Sequence, residues 1–255
     1  MTTQATTQRA KGPSKRRMAL LVSLVAGAAL ASVVALAGTA RQADAALAEK
    51  IVFMSDRTTG KNVNNPTGDY EIFTMNPDGT GVKQLTANKT DEYDPTLSPD
   101  GTRIAYESYG VQTSNPEGDG EVYRMSALDG TGKKNLTNNG TGVSDFLPVF
   151  SPDGTRIAYE SYGIQTSNPD GGLDIYSMSA ADGTGKKNLS NSGAQVYDNV
   201  SDFSADGKKI VYTSAGTQTS NPEGDFDIYS MNTLDGKGKS NLTDNKVAYD
   251  AFFYD

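Results

Sequence analysis

The chain has 255 residues and a net charge of −8, with 27 Gly, 10 Pro, no Cys and no His. That composition excludes disulfides, Cys/His zinc sites and histidine-based catalytic triads. The abundance of turn formers argues against a helical protein.

Residues 1–17 are polar and basic and end in Lys15-Arg16-Arg17. Met18 to Gly38 is an uncharged apolar run, and Ala43-Asp44-Ala45 supplies a small-x-small cleavage pattern. This order predicts a secretory signal peptide over residues 1–45. The run is also about long enough to span a bilayer, so an uncleaved N-terminal membrane anchor is the competing reading. Arg16-Arg17 with the following Met-Ala-Leu-Leu loosely resembles a twin-arginine export signal. Either way the chain is expected to be exported, to a periplasmic, cell-envelope or extracellular address. Residues 46–255 then hold 17 basic and 30 acidic side chains, a net of about −13. Such a surface repels nucleic acid and anionic lipid, so neither is expected as a partner.

The rest of the chain is a repeat. IVFMS, IAYES, IAYES and IVYTS begin at Ile51, Ile104, Ile157 and Ile210, in steps of 53 residues. EIFTMN, EVYRMS, DIYSMS and DIYSMN recur downstream, followed by QLT, NLT, NLS and NLT. LSPDGTR, FSPDGTR and FSADGKK precede the later copies. Each copy decodes into four short strands: a before the Pro-Asp-Gly turn, b in RIAYES, c in DIYSMS, and d ending in Asn-Leu-Thr after a second Asp-Gly turn. Tandem four-stranded antiparallel units are the blades of a β-propeller. Residues 46–255 are therefore predicted to be an all-β propeller of four blades. The tail VAYDAFFYD aligns with the segment before the fourth copy's turn and reads as a strand a. Paired with the N-terminal b, c and d, it would close a monomeric ring and hide its edge strands. A fragment of a longer propeller, or a half-ring pairing with another chain, are the competing readings.

The pattern D-x-x-P-x-F-S-P-D-G-x-x-I-A-Y, then D-I-Y-x-M, D-G and N-L-T resembles the TolB-like (WD-repeat-like) propeller repeat, over essentially all of residues 50–255. The resemblance implies the propeller fold and periplasmic envelope proteins that bind lipoprotein partners, or propeller domains attached to peptidases. Neither a helical domain ahead of the repeats nor a hydrolase domain behind them is read in this sequence. The blades are longer than usual for the family, and the extra length lies between strands b and c.

That extra length is a repeated loop, at 58–71, 109–121, 162–174 and 215–227. Its core is Asn-Pro-x-Gly-Asp-x-acid. Side-chain oxygens fall on alternate residues at Asn115, Glu117, Asp119 and Glu121, and again at Asn221, Glu223, Asp225 and Asp227. Such oxygens are candidate ligands for Ca2+; the alternative is turn structure, with Asp capping backbone amides. A second acidic series precedes strand a, at Glu92, Asp145, Asp198 and Asp250. It is expected near the mouth of the central channel, holding a cation or sharing protons, or else tying one blade to the next. Tyr93, Phe146, Tyr197 and Tyr249 accompany it as candidate binding aromatics. The same side carries the b–c loops. The opposite side is expected to be basic, with Lys133, Lys134, Lys186, Lys187, Lys237 and Lys239. These features predict a non-catalytic module that binds an envelope protein or a glycan through the long-loop side, with calcium as a stabilising ion. The alternative is a cation-dependent glycan-active enzyme using carboxylates on that side.

Overall fold

The computed structural model describes residues 50–243; the predicted export segment at 1–45 and the tail at 244–255, with Tyr249 and Asp250, lie outside them. Among the described residues there are strands and turns and no helix. The first sheet holds β1 (Ile51–Ser55), β2 (Glu71–Met75) and β3 (Lys83–Gln84). The second holds β4 (Asp91–Leu97), β5 (Arg103–Tyr109), β6 (Glu121–Ser126) and β7 (Lys134–Asn135). The third repeats this order with β8 (Ser144–Phe150), β9 (Arg156–Tyr162), β10 (Leu173–Ser179) and β11 (Lys187–Asn188). The fourth repeat, β12 (Tyr197–Phe203), β13 (Lys209–Ala215), β14 (Asp227–Asn232) and β15 (Ser240–Asn241), continues that third sheet through β10 and β12.

The repeats are thus antiparallel a-b-c-d units, and the first contains b, c and d. Strand a runs for 7 residues before its turn, as in β8 from Ser144 to Phe150. Strand d is shorter, two residues in each copy. The leucine after it still bonds to the sheet, as Leu136 N–H does to the Val122 carbonyl at 2.8 Å.

Alternation sorts strands b and c into two buried faces. On one, Tyr106, Tyr159 and Tyr212 stack against Tyr123, Tyr176 and Tyr229, with ring centroids 5.5–5.7 Å apart; Phe53 and Phe73 do the same in the first sheet. Ile104, Met125, Ile157 and Met178, two places away along the same strands, are buried on that same face, and Val122 and Ile175 are buried on the other. Each such side chain contributes about 1.5–3 kcal/mol through burial. The apolar clusters cross from one blade to the next: Leu136 of the second packs with Ile157 and Tyr176 of the third.

Backbone bonds join the blades. The N–H of Glu92 donates to the Tyr70 carbonyl at 2.7 Å, and that of Asp145 to the Gly120 carbonyl at 2.8 Å. Between the third and fourth blades the same contact is a parallel bridge, Leu173 to Tyr197. The c–d turns add a second joint. A Cβ on Gly130, Gly183 or Gly236 would lie 1.9–2.2 Å from the carbonyl oxygen of Leu85, Leu136 or Leu189 in the preceding blade. All three glycines have positive φ, so glycine is required there by both space and conformation. At Gly79 of the first sheet nothing described lies within 4 Å of an added Cβ. The tail expected to close the ring is among the residues outside the described set.

Candidate functional site

The b–c loops are built by one repeated set of bonds. Asn115 Oδ1 accepts the Gly118 N–H at 3.0 Å while its Nδ2 donates to the Asp119 carbonyl at 2.6 Å. Asn221 does the same with Gly224 and Asp225, and Asn65 and Asn168 serve their own loops. Gln112 and Asn115 exchange two backbone bonds. The loop is then pinned to the sheet: the Asn135 amide donates to the Ser114 carbonyl at 2.8 Å, and the Ser114 hydroxyl meets Tyr123 Oη at 2.9 Å. Asn188 with Ser167 and Asn241 with Ser220 repeat the pin. The Asn of each Asn-Leu-Thr motif therefore holds the long loop of its own blade.

This bonding distributes the eight predicted calcium ligands. Asn115 and Asn221 are buried, with both ends of the amide engaged in the turn. Glu117 and Glu223 are exposed, and Asp119 and Asp225 are half-buried. Glu121 and Asp227 are buried at the start of strand c. Asp119 Oδ2 accepts the Gly142 N–H at 3.3 Å. Among the described residues no three carboxylates converge in an arrangement that could hold a metal ion.

Glu92, Asp145 and Asp198 are fully buried at blade boundaries. Each opens strand a and turns its carboxyl back under the preceding d–a loop. Glu92 accepts from Asn88 Nδ2 and Thr90 Oγ1, both at 2.8 Å, Asp145 from Asn139 Nδ2, and Asp198 from Ser192 Oγ. Beside them lies the acid that starts strand c. Glu71 Oε1 accepts the Asn88 N–H and Glu121 Oε1 the Asn139 N–H, both at 2.8 Å; Asp174 Oδ1 accepts from Ser192 N–H and Ser190 Oγ. Two carboxyls thus straddle one loop at each boundary. Burial raises Glu92 and neighbouring Glu71 raises it further. Burial pushes Asp145 up to about 7, with the charge of Glu121 adding to it, and pushes Glu121 itself up to about 7.

The candidate aromatics occupy two different registers. Tyr93 and Phe146 follow the acid and pair with Glu107 and Glu160; Tyr197 precedes it and pairs with Ala215, a place held by Asp91 and Ser144 in the other blades. Tyr197 is 48 % exposed. Tyr93 is half-buried, 5.2 Å from Tyr70 and 6.0 Å from Tyr109 between ring centroids. Phe146 is half-buried.

Strand a also carries a β-bulge in each complete blade, between Tyr93 and Thr96, Phe146 and Val149, and Val200 and Asp202. The bulges of β4, β8 and β12 line a common recess of about 420 Å³, including Asp94, Pro95, Leu147, Pro148, Val200 and Ser201. Asp94 and Leu147 have φ of 45° and 49°, a costly conformation for a side-chain-bearing residue. Two strand-b glutamates stabilise these bends from the adjacent blade. Glu107 Oε2 accepts the Leu147 N–H at 3.3 Å, and Glu160 Oε1 the Val200 N–H at 2.9 Å. Burial pushes them up to about 7 and about 8 respectively. Sequence reasoning missed this pair because strand b alternation placed them in a motif read as purely structural. Their absence from the equivalent positions, Met54 and Thr213, was the available signal.

The lysines predicted on the far side include two that do not stay there. Lys186 donates to the Thr137 carbonyl and Lys239 to the Ser190 carbonyl, each in the preceding blade. Strand d is two residues long, so a lysine stem spans it. Lys186 thereby favours the ionised form of Glu121 and Asp145.

No family model matches the chain. A TolB homologue of Chlorobium luteolum is 30 % identical over 39 % of this chain and 30 % of its own length. The chain spans about a third of the length of the curated relatives it matches. Among solved structures, TolB from Acinetobacter baumannii superposes with a TM-score of 0.53 at 21 % identity, over 77 % of this chain and 42 % of that one. A TolB structure from Agrobacterium tumefaciens gives 0.51 at 22 %, over 68 % and 55 %. These structures share the fold, and the sequence relatives share the repeat. The repeat that builds this chain is similar to that of the TolB-like β-propeller proteins.

Proposed function

We propose that this chain is an exported, non-catalytic binding module of the cell envelope. Its four repeats close into a ring through residues 244–255, and a protein or glycan partner docks on the b–c loop side. The observation that carries this reading is the construction of those loops. Each is fixed by its Asn turn and its pin to strand d, and two of them present an apolar side chain outward. Val111 and Ile164, at equivalent places in adjacent blades, are 74 % and 76 % exposed. Rigid loops bearing exposed apolar groups lose little entropy on binding. The TolB-like repeat supports the envelope address.

The carboxylate-enzyme alternative is less well supported. Perturbed acids often mark active sites, but Glu92, Glu107, Glu121, Asp145 and Glu160 all accept bonds from scaffold donors. Their raised affinity for protons goes with blade packing.

The test is affinity capture from an envelope extract by the full chain and by V111S/I164S. Substitution at these exposed positions should leave melting unchanged and reduce capture of a specific partner at least tenfold. Undiminished capture would place the binding surface elsewhere.

A further inference from the structure

The second blade departs from its sisters at one strand-c position. Thr74, Ser177 and Ser230 occupy it in the first, third and fourth blades; the second has Arg124. In the third blade the small hydroxyl has a defined use: Arg156 Nη2 donates to Ser177 Oγ at 2.7 Å. In the second blade the equivalent of Arg156 is Arg103, and the acceptor it would have used is itself a cation.

The register brings three cations onto one face. Arg124 pairs across the sheet with Ala105 on one side and Lys134 on the other, while Arg103 pairs with Ser126. Residues two apart on a strand share a face, so Arg103, Arg124 and Lys134 lie together. Lys134 is engaged, donating to the Asp182 carbonyl at 2.9 Å. Among the described residues neither guanidinium makes an ion pair: the one pair within 4.0 Å is Lys208 with Asp206. Arg124 Nε is buried without a hydrogen-bond partner. Burial, and then the charge of Arg103, hold Arg124 below its ordinary value, opposed by Asp182. Between the two arginines, on the side of the a–b and c–d turns, lies a recess of about 290 Å³ that also takes in Ser126 and Thr131.

We propose that this recess binds a small oxyanion, a carboxylate or a sulfate or phosphate group, held between the guanidinium groups of Arg103 and Arg124. Two like charges side by side are unfavourable until a counter-charge sits between them. Guanidinium groups match the paired oxygens of such anions through parallel N–H donors. The buried Nε and the loss of the internal hydroxyl acceptor leave donors that an anion would satisfy. The site lies away from the b–c loops and is independent of the binding surface proposed above.

The experiment is NMR of the arginine Nε–H signals in the full chain, titrated separately with sodium sulfate and sodium acetate against sodium chloride at equal ionic strength. Arg103 and Arg124 should show saturable shifts at millimolar sulfate or acetate, while Arg57 and Arg156 stay still. The tighter of the two anions identifies whether a carboxylate or a tetrahedral oxyanion is preferred. R124S restores the residue type of the sister blades, so it should keep the melting temperature and weaken binding at least tenfold; R103S should weaken it likewise. Non-saturating shifts with both anions, equal shifts at all four arginines, or undiminished binding in both variants would each overturn the proposal.

Discussion

At the scale of single residues, the buried carboxyls set how the protein responds to pH. A carboxyl whose folded pKa lies above its unfolded value holds its proton more tightly in the folded chain. Its contribution is fully present below the unfolded pKa, near 4.5 for Glu, and is lost as pH rises through the folded value. For Glu160 that window runs from about 4.5 to about 8, and for Asp145 from about 3.8 to about 7. The turn aspartates oppose this at the acid end. Asp100 and Asp153 each accept from a Ser hydroxyl and a Thr N–H, which lowers them, so their contribution is lost as pH falls below about 3.8. The melting temperature should therefore be highest near pH 5 and decline toward pH 8. Glu160→Gln keeps the shape and removes the ionisation, so calorimetry from pH 5 to 8 should show a shallower decline than wild type. An identical decline would mean that Glu160 ionises as freely folded as unfolded.

At the scale of elements, the c–d turn is the joint most sensitive to a single methyl group. Gly183→Ala adds a clash with the Leu136 carbonyl to the cost of positive φ, whereas Gly79→Ala adds only the φ cost among described neighbours. The φ cost alone is about 1 kcal/mol. Urea unfolding should show Gly183→Ala losing at least twice as much stability as Gly79→Ala; equal losses would mean the joint relaxes freely. Much of this level was legible in the sequence. Pro-Asp-Gly and the second Asp-Gly fixed the turns, and the Ile and Tyr alternation of RIAYES and DIYSMS located strands b and c. The sites were harder to read. A buried Asn that closes a turn and an exposed Asn that could bind calcium have the same letter; burial and bonding separate them. Tyr197 was grouped with Tyr93 and Phe146 by its nearness to an acid, but it precedes its acid where they follow theirs, so its pairing with strand b lies two places away. The departure of Glu107 and Glu160 from Met54 and Thr213 was legible, but their role was not, because their partners are backbone N–H groups about 40 residues away in the next blade.

At the scale of the whole molecule, closure is the property that the tail should supply. Ending the chain after Thr243 should lower the melting temperature and promote self-association, because the first sheet keeps strands b, c and d with an unpaired inner edge. Light scattering with calorimetry checks both effects, and a monodisperse truncation with unchanged melting would leave the tail without a closing role. The interior joints bear on a different matter. Gly130, Gly183 and Gly236 seat on Leu85, Leu136 and Leu189 through one geometry, so each copy meets its predecessor in the same way. A duplication or deletion of 53 residues between two copies would inherit a ready-made neighbour on both sides, and the array can change its number of units across generations without inventing a contact.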